Sequence, residues 1–256
     1  MDWGMANRMH RMFSPVSGNS LMLAVDHGYF MGPTHHLEDA RATITPLIPH
    51  ADALALTRGI LRHAVDPTAT IPIVLRVSGG ATVLKDDLSH EAITTSIDDA
   101  ARLNVSAVAM SVFVGAPHEH ESLVHLSDLV DEGESHGIPV LAITAVGKEL
   151  EKRDARYLAL ACRVSAEIGA HMVKTYYCEG FSKVAEGCPV PLVVAGPEAR
   201  QRPGRARARS ERDRRGGARD RHGPEHLAVR PPDRDAEGAP HDRPREGDRP
   251  GGARRP

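Results

Sequence analysis

The feature that most constrains the fold is a repeat of short apolar runs that alternate with amphipathic helical patterns. Seven such runs, each ending near a glycine, occupy residues 21–28, 52–59, 72–80, 105–115, 139–147, 170–177 and 189–196. Apolar residues at three- and four-residue steps predict helices over 38–48, 91–103, 121–134 and 156–168. Near-continuous apolar strands are buried on both faces, so this alternation predicts a parallel sheet covered by helices.

Two architectures have this alternation, the (β/α)8 TIM barrel and the doubly wound open sheet. No G-x-G-x-x-G sequence follows the first run, so a dinucleotide-binding open sheet has little support. Polar residues gather where the runs end, as the active sites of (β/α)8 barrels require. They are Asp26, His27, Thr57, Arg58, Arg76, Ser78, Ser111, Thr144 and Lys174. We therefore predict an α/β protein with a (β/α)8 barrel over residues 21–197 that is truncated, because strand eight and the last helices are missing.

The segments around this barrel have distinct patterns. Residues 1–20 are predicted to be a short amphipathic helix over 3–13 that caps the barrel floor, followed by a linker. The connection after the second run is predicted to be short and irregular, and residues 181–185 a single short helix.

Composition limits the compartment and the partners. Hydrophobic residues make up 41% of the chain, and the net charge of -2 gives no reason to expect a polyanionic partner. The three cysteines lack C-x-x-C spacing, which argues against structural zinc or a disulfide framework. No run has the pattern of a signal peptide or the length of a membrane span, so we expect a cytoplasmic protein.

Residues 198–256 differ completely from the rest of the chain. Arginine, glycine, proline and aspartate dominate, and Leu227 and Val229 are the only branched aliphatic residues. Such a segment buries too little apolar surface to offset its ordering entropy, so we predict a disordered tail. Acidic residues dilute its arginines, which makes a nucleic-acid-binding arm a weak alternative.

The tail also has the composition of GC-rich coding sequence translated out of frame. Residues 196–209 can be back-translated with suitable synonymous codons. Reading those codons one nucleotide later permits a peptide with the pattern of a turn and a capped amphipathic helix. The same shift of residues 221–231 permits D-M-G-R-N. We therefore interpret the tail as a frameshift, and resequencing across codons 194–200 would test this.

Lys174 is the candidate nucleophile. It stands in G-A-H-M-V-K-T-Y-Y at the carboxyl end of an apolar run, where partly desolvated surroundings disfavour an ammonium. A neutral amine attacks carbonyl groups. The alternative is a solvated lysine at a strand end.

Five motifs in order resemble the Schiff-base aldolases of the DeoC/FbaB group. They are L-A-V-D-H-G-Y-F-M-G-P, T-R-G-I-L-R, A-V-G-K-E-L, A-H-M-V-K-T-Y-Y and G-C-P-V-P-L-V-V-A-G, within residues 1–197. The resemblance implies a (β/α)8 barrel, often a decamer of two rings, that acts on phosphorylated keto substrates without a metal. The shifted D-M-G-R-N resembles the family's eighth-strand phosphate loop.

The resemblance also implies roles for single residues. Lys174 matches the lysine that attacks the substrate carbonyl, and Asp26 matches the acidic residue that handles protons. Lys148 could repel the ammonium of Lys174 or bind a substrate oxygen. The predicted substrate-binding residues are His27, Arg58, Thr144, Ala195 and Gly196. His27 could instead orient Asp26, and Arg58 could pair with a carboxylate.

Two departures from the family pattern bear on the reaction. Ala145 stands where the fructose-bisphosphate aldolases have a proton-donating tyrosine, which favours a thiolase-like branch that transfers an acetyl group to coenzyme A. This is the type of reaction that degrades phosphorylated autoinducer-2. Of the family's phosphate grip only Ala195 and Gly196 remain, which puts phosphate binding in doubt.

Other functions have weaker support. His35, His36, His118 and His120 have the chemistry of metal ligands, but they fall in predicted loops without a third ligand at a recognisable spacing, so no metal is expected. The open rivals are a fructose-bisphosphate-type aldolase, a noncovalent sugar-phosphate isomerase or epimerase, and a non-enzymatic arginine-rich binding protein.

A missing eighth strand would leave the first and seventh strands with unpaired backbone groups. From this we predict that the 256-residue chain is insoluble or self-associating and shows no catalysis.

Overall fold

Seven parallel strands form the wall of a barrel. The computed structural model describes residues 1–145 and 154–195 and the backbone of 225–230. Each strand pairs with the next in the order β1, β2, β3, β6, β7, β8, β9. Their bounds are β1 Leu21–Ala24, β2 Ala53–Thr57, β3 Ile73–Arg76, β6 Ala107–Val112, β7 Val140–Thr144, β8 Met172–Tyr176 and β9 Leu192–Ala195. A two-stranded antiparallel hairpin of β4 (Ser78–Gly79) and β5 (Ala92–Ile93) lies between β3 and β6 in the chain.

The gap between the first and last parallel strands is closed by part of the tail. Strand β10 (Glu225–Arg230) runs antiparallel to both β1 and β9. The sequence predicted that this gap would stay open. That prediction was wrong, and the expectation of an insoluble, inactive chain loses its premise. The expected disorder is corrected for these six residues only, and the rest of 198–256 lies outside the described residues. No parallel eighth strand occurs within the ranges that the structure describes.

Composition explains why this stretch of the tail pairs. It contains Leu227 and Val229, the tail's only branched aliphatic residues, and it has no proline, so every residue keeps its backbone donor. Ala228 has partners on both sides, Leu21 in β1 and Val194 in β9. The segment thereby offers hydrogen-bonding groups to two strands that would otherwise be edges.

Helices follow most of the strands, and polar caps start them. Their bounds are α1 Trp3–Arg11, α2 Gly28–Met31, α3 Ala40–Ile44, α4 Arg58–Ala64, α5 Ile97–Arg102, α6 Glu119–Ser135, α7 Ala155–Ile168 and α8 Phe181–Gly187, with a 3-10 turn over Ile48–His50. The side chains of Asp2, Ser96 and Asp154 accept hydrogen bonds from backbone amides in the first turns of α1, α5 and α7. None of the helices within the described ranges has the length and apolarity to cross a bilayer.

Two of the predicted connections were wrong. An irregular connection was expected after β2, but α4 begins there, with the Thr57 hydroxyl accepting a hydrogen bond from the Ile60 amide at 3.4 Å. A helix was expected from residue 91, but Glu91 leads into β5 and the helix starts only at Ile97. The Ser96 cap, which accepts from the Asp99 amide at 3.2 Å, sets that later start.

The apolar core has an inner and an outer layer. The outer layer packs the strands against the helices and includes Leu126 of α6 and Leu158 of α7. The inner layer fills the barrel and consists of Met9, Met12, Met22, Ala24, Ala53, Ala55, Val74, Ala107, Ala109, Leu141, Met172, Val193 and Ala195. Because Met9 and Met12 belong to it, α1 and the residue that ends it pack against the interior of the barrel.

A close contact between α6 and β7 gives a stability prediction. A Cβ at Gly133 would lie 2.7 Å from the Ile138 carbonyl oxygen and 2.9 Å from Val140 Cγ2. Overpacking of this kind costs about 1–3 kcal/mol, against up to about 1 kcal/mol gained in helix propensity. We therefore expect Gly133→Ala to lower the free energy of unfolding, measured by urea titration. Gly187→Ala is the control, because nothing lies within 4 Å of its Cβ position, and equal stability of the two variants would contradict the prediction.

Candidate active site

Lys174 projects into the barrel from the middle of β8. Side chains alternate between the two faces of a strand, and Met172, two residues earlier, belongs to the inner layer. Lys174 pairs in register with Ile143 of β7 and Val193 of β9, and only 9% of its surface is exposed. Apolar strands on both sides therefore hold the amine inside the barrel.

Asp26 lies two residues beyond the inner-layer Ala24 and is buried. Burial by itself would raise the pKa of its carboxyl. The positive charges of Lys174 and Arg76 outweigh this effect and, with a smaller contribution from His27, bring the pKa below its ordinary value of 3.8. Asp26 is therefore an ionised base within electrostatic reach of the amine.

Arg76 is a central residue of the site, to which the sequence gave a strand-end position but no role. It ends β3 on the same face as Val74 of the inner layer, and it is 5% exposed. Its Nη1 lies 3.6 Å from Asp26 Oδ2. Its Nε donates to the Ser78 carbonyl at 3.1 Å, and Nη2 donates to the Ser111 hydroxyl at 2.5 Å.

Glu91 and Tyr29 complete the surroundings of Arg76. Arg76 Nη2 donates to Glu91 Oε2 at 2.9 Å and also contacts the Tyr29 hydroxyl. That hydroxyl donates to Glu91 Oε1 at 2.6 Å, and the guanidinium lies 4.2 Å above the Tyr29 ring. Burial and the neighbouring carboxylates raise the pKa of Tyr29. Burial alone would lower the pKa of Arg76, but the negative charges around it raise it. We call Arg76, Glu91, Tyr29, Ser78 and Ser111 the arginine cluster.

His27 and Ala195 lie beside the two central residues. His27 is half-buried, directly follows Asp26 and precedes α2, and its charge acts on the Asp26 carboxyl. Ala195 ends β9 in the inner layer and pairs with Tyr176, two residues after Lys174. The structure therefore brings both of these predicted binding residues to the same end of the barrel as Lys174.

Thr144 and Arg58 lie away from this group. Thr144 follows Ile143, which packs against the inner layer, and so faces the helices, where its hydroxyl donates to the Thr175 hydroxyl at 2.9 Å. Arg58 starts α4, and its Nη1 donates to Asp99 Oδ2 at 2.9 Å. The structure places neither side chain in the barrel interior. Of the two roles considered for Arg58, substrate binding and pairing with a carboxylate, the structure shows the second.

Lys148 and Gly196, the remaining predicted site residues, lie outside the described residues. Within those residues, no three His, Cys, Asp or Glu side chains are grouped so as to hold a metal ion. His118 precedes α6 and stacks on His90, with ring centroids 4.2 Å apart, while His120 belongs to α6 and not to a loop.

Sequence comparison gives a specific family. The family model for DeoC/LacD family aldolases matches residues 20–201, and this match ends close to the change of composition at residue 198. The chain is 51% identical over 197 residues to 3-hydroxy-5-phosphonooxypentane-2,4-dione thiolase of Escherichia coli, covering 77% of this chain and 67% of that protein. The protein with the same name from Photorhabdus laumondii is 50% identical with the same coverage.

Two solved aldolase structures share the fold of this chain. An archaeal fructose 1,6-bisphosphate aldolase has a TM-score of 0.65 at 23% identity, with 77% of this chain and 82% of that chain covered. A Schiff-base-forming fructose-1,6-bisphosphate aldolase gives 0.67 with the same identity and coverage. At this identity the likeness concerns the fold alone, whereas the family follows from the sequence match. The chain belongs to the DeoC/LacD aldolase family.

Proposed function

We propose that this chain is a class I aldolase-type enzyme in which Lys174 forms a Schiff base with a phosphorylated keto compound. The observation that carries the proposal is a buried amine and a buried, ionised carboxylate that interact electrostatically in the barrel of a DeoC/LacD family chain. The relatives' name suggests a phosphorylated dione, 3-hydroxy-5-phosphonooxypentane-2,4-dione, as the substrate. Coenzyme A is then the acceptor of the acetyl group.

Lys174 and Asp26 divide the chemistry between them. The neutral amine of Lys174 adds to the keto carbon, and loss of water from the carbinolamine gives an iminium. Asp26 moves protons to and from the substrate oxygens during these steps. The iminium then accepts the electron pair of the bond that breaks next to it.

Ala145 favours the thiolase branch over a sugar-bisphosphate aldolase. It follows β7, its amide donates to the Val112 carbonyl at 2.9 Å, and its methyl group cannot supply the proton that a tyrosine at this place would donate. A noncovalent isomerase using Asp26 and Lys174 as an acid and base is the second candidate, because the same pair could serve it.

Borohydride trapping distinguishes these mechanisms. We expect incubation with dihydroxyacetone phosphate and borohydride to add the mass of the reduced adduct to the peptide that contains Lys174, detected by mass spectrometry. Borohydride reduces an imine to a stable secondary amine that stays on the lysine, whereas a noncovalent isomerase forms no adduct. Modification at the exposed Lys183 measures nonspecific labelling. The proposal would be contradicted by an adduct on Lys148 alone. It would also be contradicted if the substrate were turned over and no lysine carried an adduct.

A further inference from the structure

Four ionisable side chains with balanced charges are buried together at the end of the barrel that holds the candidate site. Lys174 and Arg76 are the cations, and Asp26 and Glu91 the anions; their exposures are 9%, 5%, 7% and 7%. Buried charges are tolerated when they are paired and hydrogen-bonded. Any step that changes the charge of one member therefore leaves a net buried charge that the other three must balance.

The amine of Lys174 must be neutral to attack a carbonyl. Its neutralisation removes one of the cations that lower the pKa of Asp26. If no other cation lay nearby, desolvation would then drive Asp26 to take up a proton, and the carboxylate would be lost as a base. The remaining cation is Arg76, whose Nη1 lies 3.6 Å from Asp26 Oδ2.

The hydrogen bonds of Arg76 fix this orientation. Nη2 is held by Glu91, Tyr29 and Ser111, and Nε by the Ser78 carbonyl. Nη1 is the atom of Arg76 that lies 3.6 Å from Asp26 Oδ2. Glu91 is itself held, because the hydroxyls of Tyr29 and Ser78 donate to its two carboxylate oxygens at 2.6 and 2.7 Å. One edge of the guanidinium is therefore anchored by hydrogen bonds, and the Nη1 edge is directed at Asp26.

We infer that Arg76 is a positioning residue, anchored by Glu91 and the hairpin that carries it, which keeps Asp26 ionised and oriented while Lys174 is neutral. This role rests on the proposed Schiff-base function. Arg76 acts through Asp26 and does not contact the reacting atoms. The hairpin of β4 and β5 is then part of the catalytic apparatus, because it brings Glu91 into the barrel.

The test compares variants that move the charge around Asp26 in opposite directions. The groups facing Asp26 are Lys174 from β8, Arg76 from β3, the adjacent His27, and Tyr29 from α2. Arg76→Met removes a cation, so we expect the pKa of Asp26 to rise by roughly 1–3 units. Glu91→Gln removes the anion that shares Arg76, so we expect the pKa of Asp26 to fall. Arg76→Lys should give an intermediate value.

The pKa of Asp26 is measured in the full chain by NMR titration of carbon-13-labelled aspartate, with Asp26→Asn assigning the signal. Arg102→Met, an exposed arginine on α5, is the control and should leave the titration unchanged. In the trapping assay, the acid limb of the pH profile should move with the same signs. A purely structural role predicts loss of folded protein without opposite shifts.

Several outcomes would overturn the inference. They are an unchanged pKa of Asp26 in Arg76→Met, shifts of the same sign in Arg76→Met and Glu91→Gln, or no difference between Arg76→Lys and the parent. If Arg76→Met does not fold, Arg76→Lys and Glu91→Gln still decide. The NMR titration needs no Schiff base, so opposite shifts without an adduct on Lys174 would refute the proposed function and leave the electrostatic role of Arg76 standing.

Discussion

Replacement of Lys174 by methionine is expected to reduce imine-dependent chemistry to the uncatalysed background. An iminium withdraws electrons from the adjacent carbon, so its protons exchange with solvent through an enamine. We expect the full chain to exchange the carbon-bound protons of dihydroxyacetone phosphate for deuterium. Loss of a covalent nucleophile costs on the order of 10⁴- to 10⁶-fold in rate, so Lys174→Met should show no exchange above background by proton NMR.

Lys183→Met is the matched control for this experiment. Lys183 is exposed on α8, so its replacement should leave both exchange and folding unchanged. Exchange that persists in Lys174→Met but is absent in Asp26→Asn would contradict the Schiff-base mechanism and favour direct proton abstraction by the carboxylate.

The same substitution has a consequence for acid stability. The pKa of Asp26 is below its ordinary value in the folded chain, so its ionisation contributes stability that is present above pH of about 4 and is lost as the pH falls through the folded-state pKa. Lys174→Met removes one of the charges that lower this pKa. The contribution of Asp26 should therefore shrink, and in pH-dependent urea titrations its loss should be complete at a higher pH than in the parent chain.

The positions of the site residues were partly predictable from the sequence. The sequence located the strands and singled out Lys174 and Asp26 at their ends; the structure has Asp26 two residues past β1 but Lys174 in the middle of β8. It could not distinguish the two faces of a strand, because strands buried on both faces are apolar throughout and do not alternate. Thr144 was therefore grouped with Lys174, although Leu141 of the inner layer and Ile143, which packs against that layer, place it on the opposite face.

Glu91 was missed for a different reason. Its local sequence has a helical pattern, and a carboxylate at the start of a predicted helix is normally explained by the helix dipole. The decisive partners are Arg76, Tyr29 and Ser78, which are 15, 62 and 13 residues away in the chain. Contacts of such separation leave no periodic signal. Arg76 was noted at a strand end, but its partners became visible only in the folded chain.

The tail shows the limit of arguments from composition. Its arginine, proline and glycine content correctly sets it apart from the barrel sequence, and the family match ends at residue 201. An average over 59 residues hides one six-residue stretch with aliphatic residues and without proline. Two strands with unpaired edges give such a stretch a place to pair, and β10 occupies it.

Loss of β10 is expected to destabilise the barrel more than any single substitution outside the core. A chain ending at Ala195 exposes the backbone donors and acceptors of β1 and β9 that pair with Leu227, Ala228 and Val229. Each buried backbone group left without a partner costs about 1–3 kcal/mol, and several together equal a large share of the roughly 5–15 kcal/mol by which domains are stable. Open edges also pair with other chains.

The matched comparison is between chains ending at residues 195 and 230, which differ in whether β10 is present. We expect the 230-residue chain to be monodisperse, or to form one defined oligomer, in sedimentation and to unfold cooperatively. The 195-residue chain should aggregate or unfold at a lower urea concentration. Ala228→Pro in the full chain removes one backbone donor between β1 and β9 and should move the unfolding midpoint in the same direction. Equal stability of the two truncated chains would mean that the seven parallel strands hold together without a closing strand, and that β10 contributes nothing to the barrel.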